Sequence, residues 1–411
     1  MKKVLNVYWE KELVGNITKE KVNFTFQYSK EWIDGKNAFP ISVSLPLKEG
    51  VFERDISEAF FGNLLPEAGI RTKIARYYGF SEKNNFAMLN AIGGECAGAL
   101  MIVPESKSFC AENGYSEVDV MEIAQMISDH KKRPLIIGKD GLRLSLAGAQ
   151  DKLPVYVKDD KYYIPRGLGA SNFIIKSPID GFQDTVINEA FCMKLAKKTG
   201  LEVVDVEIVR KGADFLLVKR YDRLEQHGKI VRMHQEDFCQ AMGVPYDHKY
   251  EAEGGPGLAD CFNLIDMHSS KPALDKKRLM EFIVFNYYIG NADAHGKNIS
   301  FLYEKGLIML APFYDLMSTL VYDGLTDKMA MKIDRENRVR WIRKRHFERL
   351  ASKIDVKPKM VIALLEEIGR KLIIEGECLV KEFDENGFNS GVIKSILSVI
   401  KKQKVNWGSS N

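Results

Sequence analysis

Apolar and polar positions alternate in short runs over the first hundred residues, as in Val4–Tyr8, Val22–Tyr28 and Ile41–Leu47, with turn-forming residues between them. Period-two alternation predicts strands, whereas the spacing in Ile56–Leu65 and Arg71–Tyr78 predicts helices before a Gly-punctuated strand ends at Met101–Val103. Residues 1–105 therefore read as an α/β domain. Residues 105–117 are rich in Ser, Lys, Asn and Gly and read as a linker, and Val118–Ser128 then has helical spacing, so 106–140 is expected to be a linker with a helix. Strand patterns return in Leu142–Leu146, Leu153–Lys158, Tyr162–Ile164 and Phe173–Lys176. Asp184–Thr199 reads as one amphipathic helix, with Ile187, Phe191 and Leu195 on one face and Gly200 as its stop. After two further strands, Glu202–Val209 and Phe215–Val218, helical patterns dominate in Glu236–Met242, Leu274–Ile289, His346–Lys353 and Pro358–Val380. The pattern predicts an α+β chain with a strand-rich part over 141–225 and a mostly helical part over 226–405.

Composition narrows this picture only a little. A chain of 411 residues is long enough for two or three structural units and a substantial core. The formal charge of +4 is too small for its size to argue for nucleic-acid binding. Six widely spaced cysteines without a C-x-x-C pair fit reduced thiols and a cytoplasmic location. The basic start is soon interrupted by Glu10, Lys11 and Glu12, which argues against a secretory signal. Uncharged runs fall short of the roughly 20 residues a membrane-spanning helix needs, so no membrane partner is expected.

The chemistry concentrates in Asn291-Ala-Asp293-Ala-His295-Gly-Lys297-Asn298, directly after the apolar stretch Phe282–Ile289. Phosphoryl transfer needs a carboxylate to receive the proton of the attacking hydroxyl and an amide to help hold Mg²⁺ against the nucleotide phosphates. Asp293 and Asn298 stand at that spacing, and Asp315 in Ala311-Pro312-Phe313-Tyr314-Asp315 could supply the second metal ligand. Each residue alone is as readily a turn former. Their order resembles a protein-kinase catalytic loop followed by its metal-binding Asp. His295 could instead ligate a metal in a hydrolase, but His234, His268 and His346 show no ligand spacing around it, which favours a loop-fixing role. Gly254-Gly255-Pro256-Gly257 and Gly93-Gly94 to Gly98 read as turns without chemistry.

A wider set of motifs carries a resemblance. Ser42-Val43-Ser44-Leu45-Pro46-Leu47, Phe60–Glu67, Leu144–Lys152, Ile174–Pro178, Asn188-Glu189, His234–Cys239, Gly254–Gly257, Asn291–Asn298 and Pro312–Asp315 occur in the order found in HipA-type serine/threonine kinases, the toxins of HipBA toxin–antitoxin systems. The resemblance covers nearly the whole chain. It implies a two-lobed kinase behind an N-terminal domain, with Ala147, Gly148, Ala149, Gln150, Asp151 and Lys152 as the phosphate-binding loop. It further implies that Lys176 binds ATP phosphate, with Glu189 as a possible partner, and that Lys219, Arg220 and Tyr221 form the hinge. His295, Gly296, Lys297, Asn298, Tyr314 and Asp315 would line the nucleotide site, Asn298 and Asp315 would hold Mg²⁺, and Asp293 would be the catalytic base. Ser145 matches the serine that such kinases phosphorylate on themselves, an event expected to inactivate the enzyme. The implied partners are a HipB-like helix-turn-helix antitoxin in a 2:2 complex, operator DNA only through that antitoxin, and a protein substrate such as an aminoacyl-tRNA synthetase. A lipid or small-molecule kinase, a catalytically silent co-repressor and a metal-dependent hydrolase are the competing readings.

Overall fold

The computed structural model describes residues 3–20, 23–106, 114–129, 134–135, 146–148, 150–167 and 169–408. The chain gathers into two compact units, one of residues 1–177, 209–247 and 301–306, the other of residues 178–208, 248–300 and 307–411. The first unit thus takes in the expected N-terminal domain and residues 141–177 and 209–225 of the strand-rich part, while residues 178–208 of that part fall in the second unit.

Within the first unit, an antiparallel sheet runs in the order Asn23–Tyr28, Glu12–Glu20, Lys3–Trp9, Leu100–Pro104. Period-two alternation buries Leu5, Val7, Val14, Ile17, Phe24 and Phe26. Helix Arg54–Asn63 packs on Asn23–Tyr28, and Asn85–Ile92 on Leu100–Pro104. Phe26 meets Tyr28, Phe52 and Phe61 at ring distances of 4.9, 6.1 and 5.3 Å, and full burial of each such side chain is worth about 1.5–3 kcal/mol. Ile41–Leu47, expected as a strand, is a tight turn with one Ser42–Leu45 bridge; Pro40 and Pro46 remove the ladder donors a strand would need.

A second sheet has the order Gly114–Val118, Lys161–Arg166, Lys152–Lys158, Phe173–Lys176, Ala213–Lys219, Val206–Lys211. Part of the expected linker is therefore an edge strand: Gly114–Val118 pairs with Arg166–Tyr162, and Arg166 Nε donates to Ser116 Oγ at 2.6 Å. An edge strand buries little, so its polar composition imitates a loop. Helix Val120–Asp129 packs on Ala213–Lys219. The expected strand Leu142–Leu146 lies, apart from Leu146, outside the described residues. The expected helix Glu236–Met242 is instead a strand, His234–Asp237, then one helical turn, Phe238–Ala241, because Asp237 caps Gln240 N–H at 2.8 Å and starts the helix only there.

A buried carboxylate ties the Ile41–Leu47 turn to strand His234–Asp237 and to Tyr303. Glu236 accepts from Ser42 Oγ, from Val43 N–H at 3.0 Å and from the Tyr303 hydroxyl. His234 lies beside it, and burial pushes its ring down to about 4, so the neutral ring donates Nε2–H to the Ile41 carbonyl at 2.7 Å. Burial pushes the Glu236 carboxyl up to about 7 despite its three donors. When neutral, it can donate to Ser42 Oγ, which passes the chain of donors to Ser44 Oγ at 2.7 Å and on to the Gln240 carbonyl at 2.9 Å. Because its folded pKa exceeds the ordinary 4.5, the native state binds more protons than the unfolded chain from about pH 4.5 to about 7. Stability must fall as pH rises through that window, by on the order of 3 kcal/mol. Urea unfolding of Glu236→Gln should lack this slope, and equal slopes in variant and parent would refute the assignment.

The second unit is mainly helical. Helix Pro358–Glu385, longer than the expected Pro358–Val380, packs against Thr185–Thr199, Pro272–Ile289, Lys344–Lys353 and Gly391–Gly408. Its Gly369 and Gly376 permit close approach, since a Cβ there would lie 2.6 Å from the Tyr288 hydroxyl or 2.6 Å from Leu397. Pro272–Ile289 is buried on every side from Phe282 onward, as a central helix must be. Helices Leu258–His268 and Gly391–Gly408 complete the unit and were not among the expected elements. Among the described residues, no helix is long and apolar enough to cross a membrane.

Candidate active site

The central helix of the second unit ends at Gly290, whose φ of 67° turns the chain into the Asn291–Asn298 loop, the expected site of catalysis. Asn291 then organises the turn, donating from Nδ2 to Asn286 Oδ1 at 2.8 Å and accepting the Asp293 N–H on Oδ1 at 3.0 Å. Ala292 N–H donates to Thr319 Oγ1 at 2.8 Å, and the Ala292 carbonyl accepts Ala330 N–H at 2.8 Å. Held on both sides, the loop buries every residue from Asn291 to Ser300 except Asp293, which is exposed. The one side chain this loop presents outward is therefore the expected base. Its Oδ1 accepts the Tyr250 hydroxyl at 2.6 Å.

Tyr250 was not foreseen from the sequence. Its carbonyl accepts the N–H groups of Glu253 and Gly255, both at 2.9 Å, so the Gly254–Gly257 segment set aside as a turn is what fixes it. A Cβ on Gly255 would lie 2.1 Å from the His248 carbonyl, which makes glycine obligatory there. Tyr250 also meets the His295 ring edge-on at 5.4 Å.

The turn from His295 to Asn298 closes reciprocally: His295 N–H donates to Asn298 Oδ1 at 3.0 Å, and Asn298 N–H donates to the His295 carbonyl at 2.9 Å. Asn298 Nδ2 lies 3.5 Å from Asp315 Oδ2, so the two expected metal ligands are adjacent. The Tyr314 hydroxyl donates to the Lys297 carbonyl at 2.8 Å and lies 2.7 Å from Ser300 Oγ, which holds the two segments together. Upstream, Phe313 stacks on Phe282 at 4.5 Å, and Arg278 donates to the Leu310 and Ala311 carbonyls at 2.6 and 3.2 Å. Downstream, Asn188 and Ser318 exchange two hydrogen bonds of 2.9 Å, so Asp315 is held from both sides. Its φ of 58° is a left-handed conformation rare for a non-glycine residue, of the kind that clusters at functional sites.

Hard oxygen donors of this kind fit Mg²⁺. Asp315 offers a carboxylate, and Asn298 Oδ1 keeps a second lone pair beyond the one that accepts His295 N–H. One carboxylate and one amide leave most of the six positions to water and phosphate oxygens, as nucleotide-bound Mg²⁺ requires.

Apart from Glu189, the remaining expected residues belong to the first unit. Gly148 has a φ of 113°, and its carbonyl accepts Glu67 N–H at 3.0 Å. Lys152 Nζ donates to the Ala147 carbonyl at 3.0 Å, closing the loop on itself. Ala149 and Ser145 lie outside the described residues. Gln150 Nε2 donates to the Ser177 carbonyl at 2.6 Å, and Asp151 Oδ2 accepts Leu135 N–H at 2.9 Å, so both side chains brace the loop. Lys176 stands opposite Lys152 in the sheet register and is buried, as is Glu189 in the other unit.

Among the expected hinge residues, Lys219 pairs with Phe173 and keeps its side chain exposed. Arg220 does not offer its guanidinium to a nucleotide: Nε and Nη2 grip Asp222 at 2.9 and 2.7 Å, and Nη1 lies 3.3 Å from Glu95. Tyr221 donates its hydroxyl to Gln235 Oε1. Of these three side chains, Arg220 and Tyr221 are thus engaged within the fold and Lys219 is exposed.

The chain is similar to known proteins along most of its length. Residues 5–103 match the HipA N-terminal domain family and residues 144–373 the HipA-like C-terminal domain family. The serine/threonine-protein kinase toxin HipA of Shewanella oneidensis is 34% identical over 326 residues, 76% of this chain and 74% of that protein. The protein Y4mE of Sinorhizobium fredii is 43% identical over 339 residues, 80% of this chain and 81% of its own. A chain of the solved Shewanella oneidensis toxin–antitoxin complex of HipA, HipB and operator DNA superimposes with a TM-score of 0.80 at 26% identity, covering 99% of this chain and 100% of that one. With its C-terminal family match spanning more than half the sequence, this chain belongs to the HipA family of kinases.

Proposed function

We propose that the chain is a serine/threonine-protein kinase toxin that transfers the γ-phosphoryl group of ATP to a protein hydroxyl, with a HipB-like antitoxin as its partner. The observation that carries this reading is the lone outward carboxylate of Asp293 on a loop otherwise buried, with Asn298 and Asp315 adjacent behind it. Asp293 orients the acceptor hydroxyl and receives its proton as the bond to phosphorus forms. Tyr250 holds the carboxylate in place through its 2.6 Å hydrogen bond. When bound, Mg²⁺ would bridge the phosphates and offset the charge that develops on them, with Asn298 and Asp315 as its side-chain ligands.

The family resemblance extends the proposal to a target such as an aminoacyl-tRNA synthetase, whose modification would halt translation, and to a 2:2 antitoxin complex placed on operator DNA by HipB. The Shewanella oneidensis complex of HipA, HipB and operator DNA supports such a partner. Ser145 is proposed as the self-phosphorylated residue. A phosphate there adds about −1.5 to −2 charges beside the loop that would hold the triphosphate, which repels nucleotide and stops turnover.

Incubation of the purified chain with radiolabelled ATP and cell lysate tests both parts. With Mg²⁺ a protein band should become labelled, with chelator none, and a phosphopeptide containing Ser145 should accumulate as activity declines. ATP consumed without any labelled protein would replace this reading with a small-molecule or lipid kinase.

A further inference from the structure

We infer that the N-terminal domain sets the position of the phosphate-binding loop, with Arg71 as the positioning residue. This rests on the kinase reading above and deepens it. The contact is direct: Glu67 N–H donates to the Gly148 carbonyl at 3.0 Å, and Pro66 and Gly148 form a parallel bridge. Gly148 holds a φ of 113° there, a backbone conformation that L side chains rarely adopt, so the contact is made at a position that favours glycine.

The turn that reaches the loop is itself held by Arg71. Arg71 Nη1 donates to the Pro66 carbonyl at 3.3 Å, Nε to the Glu82 carbonyl at 2.7 Å, and Nη2 to Asn85 Oδ1. Its guanidinium stacks 4.4 Å from the Tyr246 ring, and the residue is only 4% exposed. Burying an arginine so completely is costly, and four partners from three segments fix it in one place. Ala68, between the contact and Arg71, has a φ of 46°, a strain that persists only where the surroundings over-determine it. The chain of contacts runs from Asn85 and Tyr246 through Arg71 to Pro66, Glu67 and the Gly148 carbonyl. Whatever displaces the turn displaces the loop.

The test measures binding of a fluorescent ATP analogue, with kcat and the KM values for ATP and protein acceptor. Arg71→Ala should weaken nucleotide binding by about tenfold and raise the ATP KM in proportion, with the acceptor KM nearly unchanged. Gly148→Ala should have the same signature, and the double variant should lose little more than either single one, since both release the same loop. If Arg71→Ala does not fold, Arg71→Lys and Asn85→Ala, which keep the cation or the rest of the fork, should show the signature in weaker form. A lowered melting temperature with unaltered nucleotide affinity would overturn the inference, as would full additivity with Gly148→Ala. Absence of nucleotide binding by the parent chain would instead refute the kinase reading beneath it.

Discussion

Replacing Asp293 by Asn is expected to lower kcat by about 10²–10⁴ while leaving ATP affinity within a few-fold of the parent. Asn preserves the shape and keeps an oxygen for the Tyr250 hydroxyl, which lies 2.6 Å from Asp293 Oδ1, so the loop should not move. What disappears is the capacity to take a proton and the negative charge that orients the donor hydroxyl. Tyr250→Phe removes only the orienting bond and should cost much less. Steady-state kinetics with the same acceptor will show the difference, and equal rates for Asp293→Asn and the parent would remove Asp293 from the mechanism.

A stability effect of comparable scale is expected within the first unit. Asp222 is buried between Arg220 and Arg223, with Oδ2 2.7 Å from Arg220 Nη2, 2.9 Å from Arg223 Nη1 and 2.7 Å from Gly98 N–H. Glu95 completes the group, 3.3 Å from Arg220 and 3.2 Å from Arg223, and accepts both the N–H and the hydroxyl of Ser171 at 2.9 Å. Two carboxylates are thus buried with the guanidiniums of Arg220 and Arg223, and Arg232 lies near enough to act on Glu95. Asp222→Ala leaves an uncompensated cation, a change that costs about 3–5 kcal/mol where one partner of a buried pair is removed. Thermal unfolding should shift down by on the order of 10 °C. Although burial alone would raise it, the two guanidiniums hold the Asp222 carboxyl well below the usual range. Its contribution is therefore present above the ordinary carboxylate pKa near 4 and lost as pH falls below it. An Asp222→Ala melting temperature equal to the parent's would contradict this reading of the cluster.

These two cases show what could be read from the sequence and what could not. The catalytic loop was legible because its parts lie close together: a buried helix, a glycine stop, then Asp293 and Asn298 within one turn. Asp315 was legible because an apolar run leads straight into it. The helices Thr185–Thr199 and Pro272–Ile289 were legible from their apolar residues and glycine C-caps, but Thr185–Thr199, expected to be amphipathic, is buried on nearly every side, as is Pro272–Ile289 from Phe282 onward. Gly114–Val118 was hidden because an edge strand carries polar residues on its open face. Tyr250 was hidden because its partner is 43 residues away, and the Arg220–Glu95 contact was hidden because those residues are 125 apart. A one-dimensional pattern records which faces are apolar, but not which buried charges meet. The resemblance marked Lys219–Tyr221 as a hinge segment, but not that the Arg220 side chain is engaged with Asp222 and Glu95.

The most direct test of the central claim is phosphoproteomics after brief induction, comparing the parent chain with Asp293→Asn. Transfer of the ATP γ-phosphoryl group to protein hydroxyls predicts new phosphoserine or phosphothreonine sites in at least one cellular protein with the parent and none with the variant. Identical phosphorylation in both would contradict the account.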